Sequence, residues 1–129
     1  MPSFIGIKVH RHFGLDLRES VYETCLCRDL VKDRLPIKRQ VSLPVIYGGV
    51  RLRCGYRADL IEEQMMILEI KSVAQITPLH TSQILTRLRV SGLSVGLLMN
   101  FNSVTLKNGL RRFVLYTASG KPRDTQATA

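Results

Sequence analysis

A chain of 129 residues with 45% hydrophobic and 22% charged side chains can bury a core without disulfides or a structural metal, and its composition is that of an ordinary globular domain. Nineteen Lys and Arg against ten Asp and Glu give a formal charge of +9, which favours a polyanionic partner, nucleic acid above all, over a merely solvated basic surface. No apolar run approaches the roughly 18 residues that a bilayer span needs, and residues 1–12 lack the apolar core of a signal peptide, so a cytoplasmic location is expected.

The expected organisation is one domain over residues 1–117 and a polar, disordered tail over residues 118–129. Residues 1–15 form a first strand or a loose lead. Residues 16–33 follow as an amphipathic helix, with Leu17, Val21 and Cys25 beside Tyr22, Leu26 and Leu30 recurring every four positions. Asp16 is its expected N-cap and Glu19 stands at N3, the spacing of a capping box. Leu35-Pro36 ends that helix, and residues 41–47 form a strand whose Pro44 points to a sheet edge. Gly48-Gly49 is a two-residue hairpin signal, so residues 50–61 return antiparallel, with Cys54-Gly55 as a bulge. A turn at residues 62–64 leads to a third strand over residues 65–73.

Thr77-Pro78 opens a second helix that Gly92 stops, with Thr81, Ile84, Leu85 and Leu88 inward and His80, Gln83 and Arg87 on its polar side. Residues 93–101 are apolar on both parities, as in a strand covered on both faces, and Lys107-Asn108-Gly109 turns the chain into a last strand over residues 110–116. The sum is an α/β domain with a mixed sheet. Cys25, Cys27 and Cys54 lack metal-knuckle spacing and read as free thiols, and His10 with His12 is too short a pattern to anchor a metal site.

The chemistry concentrates in Met65-Met66-Ile67-Leu68-Glu69-Ile70-Lys71, an apolar strand that carries a carboxylate and an ammonium two residues apart. Alternation sends both to one face. Charge beside so many aliphatics is costly unless it is paired, bound to metal or open to a cleft. Asp59 lies on the preceding strand and meets Glu69 if the register allows it. Asp59 and Glu69 are hard oxygen donors suited to Mg²⁺ or Mn²⁺, the carbonyl of Ile70 is a further donor, and Lys71 is placed to orient or deprotonate water in phosphodiester hydrolysis. The plainer reading is a strand-end carboxylate paired to Arg57 and a partly buried Glu69–Lys71 ion pair.

At these residues the chain resembles the PD-(D/E)XK nuclease superfamily, and within it the GxxExxY branch. The likeness covers residues 14–115 and rests on Glu19-Ser20-Val21-Tyr22-Glu23, Arg39-Gln40-Val41, Leu43-Pro44-Val45, Tyr56-Arg57-Ala58-Asp59-Leu60, Leu68-Glu69-Ile70-Lys71-Ser72, Gln83-Ile84-Leu85, Gly96-Leu97-Leu98-Met99-Asn100-Phe101 and Lys107-Asn108-Gly109. It implies a restriction-endonuclease-like fold with an αβββαβ core and a Mg²⁺-dependent nuclease acting on DNA. It also implies Asp59, Glu69 and Lys71 as the catalytic core, Glu19 as the helix acid and Gln83 as the first residue of a QxxxY motif. Asp16 stands where GxxExxY has glycine, and Arg87 where QxxxY has its aromatic. Arg51, Arg53, Arg57, Arg87, Arg89, Arg111 and Arg112 are scattered in sequence, so a continuous basic groove is a hypothesis. With no Trp, four Tyr and four Phe, few aromatics can stack on bases, so backbone-directed, salt-sensitive, weakly sequence-specific binding is expected. The alternatives are an inactive module of the same fold that binds nucleic acid, and an assembly subunit that binds a protein partner along the apolar edge of residues 41–50. A homodimer would present two sites to a duplex.

Overall fold

In the computed structural model, which describes residues 2–115, the elements run α1 (Pro2–Phe13), α2 (Glu19–Lys32), β1 (Ile37–Tyr47), β2 (Val50–Glu62), β3 (Met66–Lys71), α3 (Pro78–Ser91), β4 (Val95–Asn100), a short 3₁₀ turn (Leu106–Gly109) and β5 (Leu110–Val114). The polar tail expected from residue 118 lies outside the described residues. The five strands form one sheet in the order β1-β2-β3-β4-β5. Only β3 and β4 are parallel, with α3 as the connection between them, so the sheet is mixed and the expected α/β, restriction-endonuclease-like architecture is present.

Two apolar layers sandwich the sheet. Ile5 and Val9 of α1 and Tyr22, Leu26 and Leu30 of α2 pack with Leu60, Leu68, Ile70, Met99 and Phe101 on one face. On the other, Leu88 of α3 packs with Leu43, Ala58, Ile61, Ile67 and Leu93. Because side chains alternate along β3, Leu68 and Ile70 go to the first layer while Ile67, Glu69 and Lys71 go to the α3 side.

Two expectations are corrected at the N-terminus. Residues 2–13 are a helix, not a strand or a loose lead. Proline is tolerated in a helix's first turn, and Ile5 and Val9, one turn apart, bury against strands from the far end of the chain. Asp16 does not cap α2: the N-cap is Arg18, with no side-chain cap, and Glu19 is the first helical residue. Asp16 has φ 72° instead, a left-handed conformation that Asp tolerates better than most residues.

The remaining elements follow the sequence reading. Gly48 and Gly49 both have positive φ, the requirement of a type I′ hairpin, and pair Tyr47 with Val50. β1 is an edge strand, as Pro44 demands, and the register shifts between Leu43 and Val45, opposite Cys54-Gly55. Thr77 caps α3, its N–H donating to His80 Nδ1 (3.0 Å), and Gly92 ends the helix in the left-handed conformation.

Candidate active site

The β2–β3 ladder pairs Leu60 with Leu68, Ile61 with Ile67 and Glu62 with Met66. Extended by one residue, it sets Asp59 across from Glu69, the register that the sequence left open. Asp59 Oδ2 accepts a hydrogen bond from the Ile70 backbone N–H (2.9 Å), which fixes one carboxylate oxygen and leaves the other uncommitted. Asp59 therefore leans across to β3 instead of pairing with Arg57.

Glu69 is buried, 3% exposed, and its ion-pair partner is not Lys71. Arg87 of α3 takes that place, its Nε 3.3 Å from Glu69 Oε1. The single hydrogen on that nitrogen goes to the Arg57 carbonyl (2.8 Å), and Nη1 donates to the Gln83 carbonyl (3.1 Å). Glu69 Oε1 thus feels the guanidinium charge but receives no hydrogen bond. Lys71 Nζ points to Gln83 Oε1 at 3.4 Å, the long end of a hydrogen bond. Gln83 and Arg87, one helical turn apart on α3, accordingly sit over Lys71 and Glu69, which confirms that those two side chains share a face.

Electrostatics follow from this crowding. Burial first, and then the charge of Asp59, push the Glu69 carboxyl up to about 7, against the opposing pull of Arg87 and Lys71. The Asp59 carboxyl is also raised, chiefly by burial, with the Ile70 N–H lowering it and the charge of Glu23 raising it.

Glu19, which is exposed, does not enter this cluster but sits at the strand's end, where its Oε2 accepts from the Ser72 N–H (3.2 Å). Ser72 Oγ in turn donates to the Leu17 carbonyl (2.9 Å), so the α2 start is stitched to the residue after Lys71. Tyr22 is fully buried, stacked on Phe101 at 4.4 Å, and its hydroxyl donates to the Gly14 carbonyl while accepting from the Leu17 N–H.

Three residues of this region escaped the sequence reading as site components. Glu23, 6% exposed, accepts hydrogen bonds from Arg39 Nε (3.0 Å) and Gln40 Nε2 (2.7 Å) and lies near enough to act on Asp59. Its position one turn after Glu19 on the same helix was the available signal. Asn100, at the end of apolar β4, grips Val73 through both backbone groups (3.1 and 2.9 Å) and so holds the strand's exit. Arg87, which stands where QxxxY has its aromatic, is the cation on Glu69.

The donors fit a hard divalent cation: two adjacent carboxylates, one with a buried oxygen that accepts no hydrogen bond, on a rigid strand pair. Among the described residues no three or more His, Cys, Asp and Glu converge as a metal cluster, so any further protein donor is a backbone carbonyl or an amide or hydroxyl oxygen. A separate cavity of 830 Å³, lined by Thr77, Thr81, Asn100, Asn108 and Arg111 among others, contains no carboxylate, His or Cys and offers no comparable chemistry.

No curated protein and no solved structure matches the chain. A sequence model of the PD-(D/E)XK nuclease superfamily matches residues 4–113, nearly the whole described chain and all of the carboxylate, lysine and glutamine positions above. The chain therefore belongs to the PD-(D/E)XK nuclease superfamily.

Proposed function

We propose that this protein is a divalent-metal-dependent nuclease of the GxxExxY branch, hydrolysing phosphodiester bonds in DNA. The observation that carries the reading is the hydrogen bond from the Ile70 N–H to Asp59 Oδ2, which brings the Asp59 carboxylate to the stretch of β3 that bears Glu69 and Lys71. Asp59, Glu69 and the Ile70 carbonyl are the groups that would hold the cation, Mg²⁺ or Mn²⁺. When bound, such an ion polarises a phosphoryl oxygen and acidifies a water. Lys71, steadied by Gln83, orients the attacking water and balances charge developing on the phosphate. Glu19 anchors the exit of β3 through Ser72, beside the site.

The branch assignment has its own support. The glycine of GxxExxY is replaced by Asp16, yet Asp16 keeps the positive φ that a glycine would occupy freely. The tyrosine of the motif is Tyr22, whose hydroxyl closes the loop that Asp16 bends.

Incubation with supercoiled, linear, single-stranded and branched DNA and Mg²⁺ or Mn²⁺ should give cleavage that Glu69→Gln and Lys71→Ala each reduce by at least about 10²-fold. Cleavage that persists in both variants, or no cleavage of any substrate by the wild type, would sink the proposal.

A further inference from the structure

β1 and β2 are 11 and 13 residues long, against 6 for β3, so their hairpin runs on past the rest of the sheet. Every residue from 46 to 57 is exposed, although the pairing continues to the tip: Val45 with Leu52, Ile46 with Arg51, Tyr47 with Val50. A ribbon exposed on both faces buries nothing that would justify its length, and isolated two-stranded hairpins are marginal in water. It nevertheless carries Tyr47 76% exposed, Val50 57% and Ile46 54%.

Its charge is one-sided. Between Asp33 and Asp59 the sequence has no acidic residue, while Arg51, Arg53 and Arg57 all stand on the projecting strand. β2 then leads directly from those arginines to Asp59. We propose that the β1–β2 arm, residues 45–57, grips duplex DNA for the site at its base, lying in the major groove with the arginines against phosphates and the apolar tip against sugars and thymine methyl groups. The B-form major groove, about 12 Å wide, admits a two-stranded ribbon. The deep, narrow major groove of A-form RNA does not. A second copy of this chain is the less suitable occupant. Two such ribbons would set uncompensated arginines against each other, and β1 carries Pro44 and a register shift, devices that discourage edge pairing. The arm rests on the nuclease reading only for the choice of nucleic acid as the polyanion.

Fluorescence anisotropy without metal, so that no cleavage occurs, tests this on the intact protein with a mixed-sequence DNA duplex and the matching RNA duplex. At about 0.1 M salt, Arg51→Gln with Arg53→Gln should weaken DNA binding by about tenfold or more and lower the salt slope by about two, one for each lost phosphate contact. Arg28→Gln with Lys32→Gln, the same charge removed from the exposed surface of α2, should cost less than about threefold, and the RNA duplex should bind more weakly than DNA. Equal losses from the two double variants, equal or tighter RNA binding, or no nucleic-acid binding at all would overturn the arm. So would a dimer in sedimentation that Tyr47→Ser with Leu52→Ser dissolves, which would assign the surface to a second copy. If the arm variants lose affinity as expected while the wild type never cleaves, the arm stands and the nuclease reading falls.

Discussion

Ionising Glu69 places a second negative charge beside Asp59 in a nearly dry environment, and Arg87 offsets only part of the cost because its Nε hydrogen is given to Arg57. The folded pKa of about 7 lies above the unfolded value of 4.5, so between them the native state binds more protons than the unfolded chain. Stability is therefore full below about 4.5 and is lost as pH rises towards 7, by on the order of 3 kcal/mol for a group this buried. Glu69→Gln, which keeps the shape and removes the charge, should melt higher than the wild type near pH 8, by on the order of 10 °C, with the gap closing near pH 4.5. Saturating Mg²⁺ should erase the gap by stabilising the ionised wild type. A melting difference that ignores pH would mean that Glu69 is not held near neutrality. Part of this residue-scale picture was legible: alternation along an aliphatic strand puts its acid and its lysine on one face, where α3 crosses them. The identity of the counter-ion was not, because it depends on which turn of α3 crosses β3, and no spacing along the chain reports that.

At the scale of elements, legibility tracked how local the deciding interactions are. The Gly-Gly hairpin, the Thr-Pro helix start and the glycine stop are set by φ preferences and caps within a few residues, and all were readable. α1 was not, because Ile5, Ile7 and Val9 alternate like a strand, and the helix is decided by packing on Met99, Phe101 and Leu106, nearly a hundred residues away. Glu19 at N3 failed for a related reason, since the bend at Asp16 delays α2 and frees Glu19 to meet Ser72. The position of α3 is the element-scale condition for the site, and Gly96 sets it. A Cβ there would lie 2.9 Å from Ile84 Cδ1 and 3.1 Å from its Cγ1, on the same helix that carries Gln83 and Arg87. Gly96→Val should lift α3 from β4, costing about 1–3 kcal/mol by urea unfolding. It should also widen the pH-dependent gap between the wild-type Glu69 background and its Gln variant, because Arg87, whose charge lowers the Glu69 pKa, moves away with the helix. An unchanged midpoint would show that Ile84 and Leu88 can yield without moving α3.

For the whole molecule, the two apolar layers and the projecting ribbon make a division of labour that stability measurements can read. The layers draw their β1 and β2 contributions from Ile37 and Leu60 on one face and from Val41, Leu43, Ala58 and Ile61 on the other, while nothing from residue 46 to residue 57 is buried. Shortening the ribbon should then leave the fold nearly intact. Leu43 and Tyr56 already face each other, so replacing residues 45–55 with Asn-Gly leaves Pro44-Asn-Gly to close a three-residue turn on that pair. Pro44 is kept because it is buried. The shortened chain should unfold in urea within about 1 kcal/mol of the wild type, since surface segments without buried contacts contribute little and a shorter loop closes at lower entropic cost. It should also keep the pH-dependent stability that Glu69 imposes, because Asp59, Glu69 and Arg87 are all retained. A loss beyond about 3 kcal/mol would place the ribbon in the folding unit itself, and its apolar side chains would then have to be accounted for by packing instead of by a partner.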